Sequence, residues 1–459
     1  MKPFSRFAYI FLWLAIAAGC VMRIYYVHLY NPIEALWPSD PMRHWLNGTN
    51  PLDTSPLPMA NPIGFQLWIG LVAKLTLAKP QLTFLYAAVM SLLAPWVWYR
   101  FMREVFSSKA LALLGWAILL WLPSWLDIFS VFMSETLFIP LLGASLWMSW
   151  RCLRKKTFEP FLTMSIFWTA TGITRGTVIP MAAVVTAWIW WRQEEKFRRA
   201  YALVALLAPT LGFLGYRSYI VTGMVTPVGS NNYDYVYARS GRKMIKLYYN
   251  LNGKYAYDFY FSSPSMDTEP LAPLSSWRSH RQDEEVITIE LTDEPTSWAV
   301  AKKAAREAGG AWLPWAFDGM MFLFFGKSWP DDNVERLCCR LNIASRWMWA
   351  PLTLIMIVGL LWRLRDARER ERAGLLLGLF AAWLLVQGFM PVAVNVGRYR
   401  KPMEGYLIAS VLVLFDRRPK SMLHGLTAAE SPLPAMPIPV APAISGPAEP
   451  ADPTLKPAV

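Results

Sequence analysis

Long apolar runs separated by short polar and basic segments form the main pattern of the chain. A helix needs about 20 apolar residues to cross a bilayer, and most of the runs approach that length. The pattern predicts an all-α polytopic membrane protein with about ten transmembrane helices. The predicted spans are Phe7–Val27, Leu82–Tyr99, Ala110–Val131, Glu135–Trp150, Phe158–Ile173, Thr177–Trp191, Ala200–Ile220, Trp347–Trp362, Gly374–Val396 and Met403–Phe415.

Two further apolar stretches, Ile63–Ala78 and Ala311–Phe325, would each reverse the orientation of everything after them if they crossed the membrane. Cytoplasmic loops carry an excess of Lys and Arg. If neither stretch crosses, almost all basic clusters fall on one side, so we expect both stretches to lie on the outer surface. The clusters assigned to the cytoplasm are Lys2/Arg6, Arg100/Arg103/Lys109, Arg151–Lys156, Arg192–Arg199, Arg363–Arg372 and Arg417–Lys420.

This threading places both termini in the cytoplasm and predicts four regions. An N-terminal transmembrane module, 1–221, contains a first outer loop at 28–81, and an outer-facing segment with surface-lying helices covers 222–346. C-terminal transmembrane helices occupy 347–418, and a Pro- and Ala-rich tail at 419–459 is predicted to be disordered. The chemistry is therefore expected in the two outer segments. Within the second one, the pattern predicts a helix at Thr296–Ala308.

Composition narrows the class of protein further. The 459 residues are 55% hydrophobic and only 17% charged, which excludes an ordinary soluble domain. The net charge of +13 does not indicate nucleic acid, because the cations flank apolar spans and fit lipid headgroups and orientation better. Four scattered cysteines are too few for a disulfide framework or a zinc site.

Basic residues on the outer side are the exception to the charge pattern. Arg175 lies between two runs of about 16 residues, or about 24 Å, so it is expected to be recessed into the bilayer. A recessed, unpaired cation costs about 2.5 to 3.5 kcal/mol. The segment Gly397–Pro402, with Arg398, Arg400 and Lys401, precedes a short last run. We expect both sites to hold an anion such as phosphate; the alternative is contact with lipid headgroups.

Acids on the outer side supply candidate chemistry. Asp40 lies between Pro38 and Pro41, which limit the backbone and fix the direction of the carboxylate. Such a carboxylate can accept a proton from an attacking hydroxyl, and Arg43 beside it favours its ionised form. The alternative is an ordinary turn or helix cap. Likewise, Glu135 is either a substrate-orienting acid or a residue that complements the start of its helix, and His44 is a candidate for substrate binding.

Together these features resemble the GT-C fold glycosyltransferases, which use sugars linked to polyprenyl phosphate. The likeness is to bacterial relatives of the protein mannosyltransferases and of the aminoarabinose transferase that modifies lipid A, and it covers residues 1–418 in layout. The residues that carry it are an acid in the first outer loop, Ser134-Glu135 opening a helix, Gly172-Ile173-Thr174-Arg175 at a hairpin, and Gly397–Pro402 before the last helix.

The resemblance implies a direct, inverting transfer of sugar to an acceptor hydroxyl at the outer face of a bacterial inner membrane. Asp40 would be the base, and a lid over the sugar would come from the aromatic run Tyr233–Tyr260. The partners would be the lipid-linked sugar, membrane lipids, and a glycan, lipid or protein acceptor. The implied phosphate-binding residues are Arg175, Arg398, Arg400 and Lys401, and the implied substrate-binding residues are Arg43, His44, Glu135 and Tyr399.

Metal dependence is not favoured by the sequence. Many relatives carry two adjacent acids in the first outer loop, whereas here Pro41 follows Asp40. No clustered acids remain to hold a divalent ion, so we expect no cofactor and no metal. The main alternative function is a transporter or flippase of a lipid-linked anionic glycan, which would spread charges along the crossing; a non-catalytic scaffold is a third. The sequence leaves open which sugar is moved and which acceptor receives it.

Overall fold

A computed structural model describes part of the chain, and most of the described residues are helical. The described residues are 6–30, 40–50, 63–77, 79, 82–222, 225, 244–249, 255–258, 285–290, 323–324, 336–388 and 397–416. Asp40, Arg43 and Arg398 are described by their backbone alone. The predicted helix Thr296–Ala308 and the tail after 418 lie outside the described residues, as does Ala311–Phe325 apart from two helical residues, Leu323 and Phe324.

The elements follow one another in a simple order. The helices before the second outer segment are α1 Arg6–Leu29, α2 Asp40–Thr49, α3 Ile63–Leu75, α4 Thr83–Val105, α5 Lys109–Trp121, α6 Pro123–Phe129, α7 Glu135–Lys155, α8 Phe158–Thr174, a 3-10 turn Gly176–Val178, α9 Ile179–Trp191 and α10 Lys196–Thr222. Three strands follow, β1 Met244–Tyr249, β2 Tyr255–Asp258 and β3 Glu285–Glu290, and then α11 Leu337–Arg363, α12 Arg370–Gly388 and α13 Gly397–Val413.

Each of the ten predicted spans contains helix, but fewer helices meet the requirements of a span. By length and apolar composition, three helices of the described chain qualify: α1, α7 and the Lys196–Arg217 part of α10. A fourth is gained if α5 and α6, bent by 53° at a short break, are counted as one. The chain is therefore a largely helical membrane protein, but the prediction of ten spans is not borne out. Other runs are too short, as in α9, or begin with charged residues, as in α13.

A small sheet is the exception to the predicted all-α fold. The antiparallel strands are ordered β2-β1-β3, with Leu247 paired to Tyr257 on one side and to Ile287 on the other. The sheet lies in the segment 222–346, which the sequence predicted to face outward and to contain loops and helices. The aromatic run predicted as a lid contains β1 and β2.

Helix α7 lies at the centre of the helical assembly. In its most apolar stretch of 18 residues, 83% of the residues are buried, against 22% in α1 and 6% in α10. The exposed apolar side chains of α10 suit contact with lipid. Trp98 of α4 joins this centre to α13, since its indole N–H donates to Ile139 O at 3.1 Å and its ring lies against Gly405. A Cβ at Gly405 would stand 2.7 Å from that ring, so only glycine allows α13 to approach.

A buried arginine in the first helix stabilises the break between α5 and α6. Arg23 is fully buried and donates to the main-chain oxygens of Leu119 at 2.5 Å, Leu120 at 2.8 Å and Ser91 at 3.0 Å. Proline has no N–H, so Pro123 leaves Leu119 O without its helical partner and Pro95 does the same to Ser91 O. The guanidinium therefore replaces two N–H groups that prolines removed.

Candidate functional site

Arg175 is placed by a break in the backbone between α8 and the 3-10 turn. Its φ of −151° and ψ of 110° are extended, which ends α8 at Thr174 and turns the side chain away from the helix. Helix α3 packs against this end of α8, because a Cβ at Gly64 would stand 2.8 Å from the backbone of Ile173 and Thr174. This close approach of the two backbones fixes the position of the Arg175 backbone.

Arg175, Glu135 and Tyr399 meet in the structure, although they are far apart in the sequence. The Nη2 of Arg175 lies 3.0 Å from Oε1 of Glu135, whose side chain is fully buried. The guanidinium also lies 5.0 Å from the ring centre of Tyr399 and 5.6 Å from that of Phe138, in the range of cation–π attraction. Ser134, just before α7, makes no side-chain cap bond; its hydroxyl donates to Glu135 Oε2 at 3.2 Å.

A pocket opens beside this group. Arg175 supplies its cation, and Thr177 and Tyr399 supply hydroxyls, while the rest of the lining is apolar or aromatic. The cation and the apolar walls together make the pocket amphipathic. The other lining residues are Phe138, Leu142, Val178, Met181, Trp383, Pro402 and Met403.

Lys401 forms a second buried ion pair, with Asp127 of α6. Nζ lies 3.2 Å from Asp127 Oδ2, and neither side chain is exposed. The thiol of Cys339 donates to the other carboxylate oxygen of Asp127 at 3.1 Å. Trp125, on the same short helix, donates to the main-chain oxygen of Lys401 at 2.8 Å. Helix α6 therefore holds Lys401 by both its side chain and its backbone.

Arg400 forms a third buried pair. Its Nε lies 3.0 Å from Glu404 Oε1, one helical turn along α13. Nη1 donates to the main-chain oxygens of Leu323 at 2.9 Å and Phe324 at 2.6 Å, and Ser124 donates to the second oxygen of Glu404. These groups are satisfied by one another, so Arg400 and Lys401 are less accessible to a ligand than Arg175, whose side chain is 11% exposed.

The basic segment Gly397–Pro402 forms the first turns of α13, whereas the sequence predicted a connection before a helix at Met403. Cations at a helix start oppose the helix dipole. Here the cost is offset by Glu404 and Asp127, which pair with Arg400 and Lys401. Helical geometry then separates neighbours in sequence: Tyr399 lies at the pocket, and Arg400 and Lys401 turn toward buried acids.

The predicted first-loop residues lie on helix α2. Asp40 is its first residue and Arg43 its fourth, and Arg398 is in the first turn of α13; their side chains lie outside the described set. His44 is buried with its ring edge-on to Phe65 of α3, at 5.0 Å between centres, so it packs between two helices rather than lying in an open loop.

The sequence interpretation missed two charged groups of this region. Glu404 completes the Arg400 pair, and its spacing of four residues on a helix was a usable signal. Arg336, at the start of α11, donates from Nη1 to Ser130 Oγ at 2.9 Å and lies 4.3 Å from the Tyr30 ring centre. The sequence analysis assigned Arg336 no role.

Metal ligands were searched for among the residues whose positions are described. That part of the chain has no group of three or more His, Cys, Asp or Glu side chains placed to hold an ion. Independence of metal stays a prediction.

Comparison with known proteins adds no family assignment. No protein-family model, no curated protein and no solved structure matches this chain.

Proposed function

We propose that this chain is an integral-membrane glycosyltransferase. It moves a sugar from a polyprenyl-phosphate donor to an acceptor hydroxyl at the outer face of a bacterial inner membrane. The observation that carries the proposal is the pocket at Arg175, where one cation stands at an otherwise mainly apolar and aromatic lining. The resemblance of the short motifs to GT-C enzymes gives the reaction class.

The chemistry of the pocket suits an amphiphile with an anionic head. Apolar walls favour a lipid chain through burial of its surface, and a guanidinium favours phosphate through charge and paired N–H donors. Glu135 contacts the guanidinium of Arg175 at Nη2, and a guanidinium carries five N–H donors, so it can bind a second anion as well. A soluble sugar nucleotide would find little polar surface here.

In this mechanism, Arg175 stabilises the leaving phosphate. Negative charge grows on the phosphate oxygen as the bond to the sugar breaks, and a cation already in place stabilises that charge without reorganising. Glu135 holds the guanidinium in position, and its second oxygen accepts from Ser134. The ring of Tyr399 covers one side of the Arg175 guanidinium.

Arg400 and Lys401 take a different role from the one implied by the resemblance. Lys401 pairs with Asp127 of α6, and Arg400 pairs with Glu404, which accepts from Ser124 of α6. We therefore propose that they fix α13, and with it Tyr399, against α6. Arg398, in the first turn of the same helix, stays a candidate for the phosphate.

We keep Asp40 as the proposed base, because a series of packed helices connects its position to that of Arg175. Helix α2 begins at Asp40 and packs against α3, where a Cβ at Gly48 would stand 2.1 Å from Ile69. Helix α3 in turn supports the end of α8 just before Arg175. This continuous packing ties the position of Asp40 to that of the cation.

Replacing Arg175 by Met should lower kcat/KM for the lipid-linked donor by about 100-fold, because one charge-stabilising donor is lost at the leaving group. The measurement is transfer from a radiolabelled polyprenyl-phosphate sugar by protein in vesicles. Arg175→Lys should recover part of the loss, since it keeps the charge but not the planar fork.

Arg154→Met is the matched control, because Arg154 forms an exposed ion pair with Glu104 at 2.6 Å. It should leave transfer unchanged. Full transfer by Arg175→Met would remove Arg175 from the mechanism.

One observation favours the alternative of a transporter or flippase. Along one face of α11, buried polar atoms of Asn342, Trp349 and Thr353 have no hydrogen-bond partner among the described residues. Eleven residues separate the first from the last, or about 16 Å along the helix. A polar path through the membrane would use such a face, so movement of intact lipid-linked glycan across vesicles is the competing outcome.

A further inference from the structure

Arg100, near the end of α4, lies against two tryptophan rings. Its guanidinium carbon is 4.7 Å from the ring centre of Trp147 on α7 and 5.6 Å from that of Trp96 on α4. The two rings meet edge to face, with 6.3 Å between their centres. A guanidinium within about 6 Å of a tryptophan ring is attracted to it by the charge distribution of the ring. The three side chains therefore form one group, which joins α4 to α7.

This group lies at the surface of the contact between the two helices. Trp96 is 38% exposed, and Arg100 and Trp147 are half-buried. In contrast, Phe101 and Trp150, whose rings meet deeper in the same contact, are buried. A guanidinium carries five N–H donors, and an aromatic ring attracts its charge without supplying an oxygen acceptor. Arg100 is therefore held in place by the rings and can still donate to an anion.

A second cation lies on the same surface. Arg151 follows Trp147 by four residues on α7, and residues four apart in a helix share a face. Glu104, an acid near the end of α4, pairs with Arg154 of α7 at 2.6 Å, so these two charges offset each other. The pair also shows that the ends of the two helices lie side by side. Arg100 and Arg151 therefore give this surface a positive charge.

An exposed apolar line runs along α4 up to Arg100. It consists of Leu85, Val89, Leu93 and Trp96, which are spaced three or four residues apart and are each 37% to 61% exposed. The line is about 16 Å long, close to half the apolar thickness of a bilayer, about 30 Å. Tryptophan is enriched where the apolar core of a bilayer meets the headgroups. The order of apolar line, tryptophan and arginine therefore matches the order of acyl chain, interface and headgroup in a phospholipid.

We infer that the ends of α4 and α7 bind an anionic phospholipid of the surrounding bilayer. Its phosphate contacts Arg100 and Arg151, and one acyl chain lies along the apolar line of α4. Clusters of basic residues at a membrane surface attract anionic lipids. A soluble phosphate would use the arginines but not the apolar line. None of the residues that line the Arg175 pocket belongs to this site, and the inference does not depend on the proposed function.

Phosphatidylglycerol and phosphatidylcholine with the same acyl chains are the probes, titrated into the purified full-length protein in detergent, with bound lipids counted by native mass spectrometry. The parent should bind the first phosphatidylglycerol at least about tenfold more tightly than the first phosphatidylcholine. Arg100→Gln should reduce this preference about fivefold, and Arg100→Gln combined with Arg151→Gln should remove it. Arg365→Gln is the matched control, because Arg365 also lies over a tryptophan, Trp362 at 4.5 Å, but just beyond α11. It should bind as the parent does.

Equal binding of the two lipids by the parent would overturn the inference, and so would a preference that survives both substitutions. A loss in Arg365→Gln as large as that in the double variant would assign the preference to net charge and overturn the site. Glycerol phosphate, which lacks acyl chains, should not displace the lipid at equal concentration; displacement would overturn the choice of a lipid as the ligand. If the double variant fails to elute as folded protein, Arg100→Gln carries the test.

Discussion

Replacing Lys401 by Met should lower the free energy of unfolding by about 3 to 5 kcal/mol, because the carboxylate of Asp127 would be left buried without its cation. The two charged groups are 3.2 Å apart, and both side chains are inaccessible to solvent. The thiol of Cys339 also donates to Asp127, but a thiol is only a weak donor. Unfolding in detergent, followed by loss of helical circular dichroism, measures the change.

Two variants control this prediction. Asp127→Asn combined with Lys401→Met removes both charges and should recover a large part of the lost stability. Arg154→Met breaks an ion pair of shorter distance, 2.6 Å, whose side chains are 37% and 26% exposed, and should cost about 0 to 1 kcal/mol. A Lys401→Met protein as stable as Arg154→Met would show that the buried pair does not hold α13.

Arg23→Met should produce the second large loss of stability. Three main-chain oxygens, those of Ser91, Leu119 and Leu120, would lose their donor in a buried site. Each buried acceptor left unsatisfied costs about 1 to 3 kcal/mol. The same unfolding measurement applies. The loss should also lower sugar transfer, because α6 and its polar side chains are oriented by this break.

The prolines make this prediction specific. Pro95→Ala restores an N–H that can bond to Ser91 O, so it should be less harmful, or even stabilising, in the Arg23→Met background than in the parent. Pro140→Ala is the control, since Pro140 interrupts α7 at a place that Arg23 does not contact. Its effect should add to that of Arg23→Met. Simple additivity for Pro95→Ala as well would contradict the role given to Arg23.

Local pattern predicted the helices well. Apolar runs located both ends of α1, α4, α7, α8 and α10 to within six residues, because each run is bounded by charged or turn-forming residues. The break in the third run was not predicted, although Pro123 fits the first turn of a new helix better than the interior of an old one. The number of spans was overestimated, because apolar composition alone does not separate short buried helices from membrane-crossing ones.

The sequence analysis named candidate residues but not their arrangement. The sequence identified Arg175 as a recessed cation that needs an anion, and the structure places Glu135 beside it. The Lys401 pair joins residues 274 positions apart, and no local pattern reports such a contact. The sequence analysis treated Gly397–Pro402 as a connection before the last helix. It therefore did not anticipate that neighbouring cations on a helix point in different directions.

The most direct test of the account is transfer of radiolabelled sugar from polyprenyl phosphate by the parent and by Asp40→Asn, in vesicles that contain envelope extract as the source of acceptor. The account predicts that the label leaves the lipid in the parent. In Asp40→Asn, transfer should fall by about 100-fold or more, with donor binding retained, because the acceptor hydroxyl loses its base. Label that stays on the lipid in the parent and only crosses the vesicle membrane, or equal transfer by Asp40→Asn, would contradict the account.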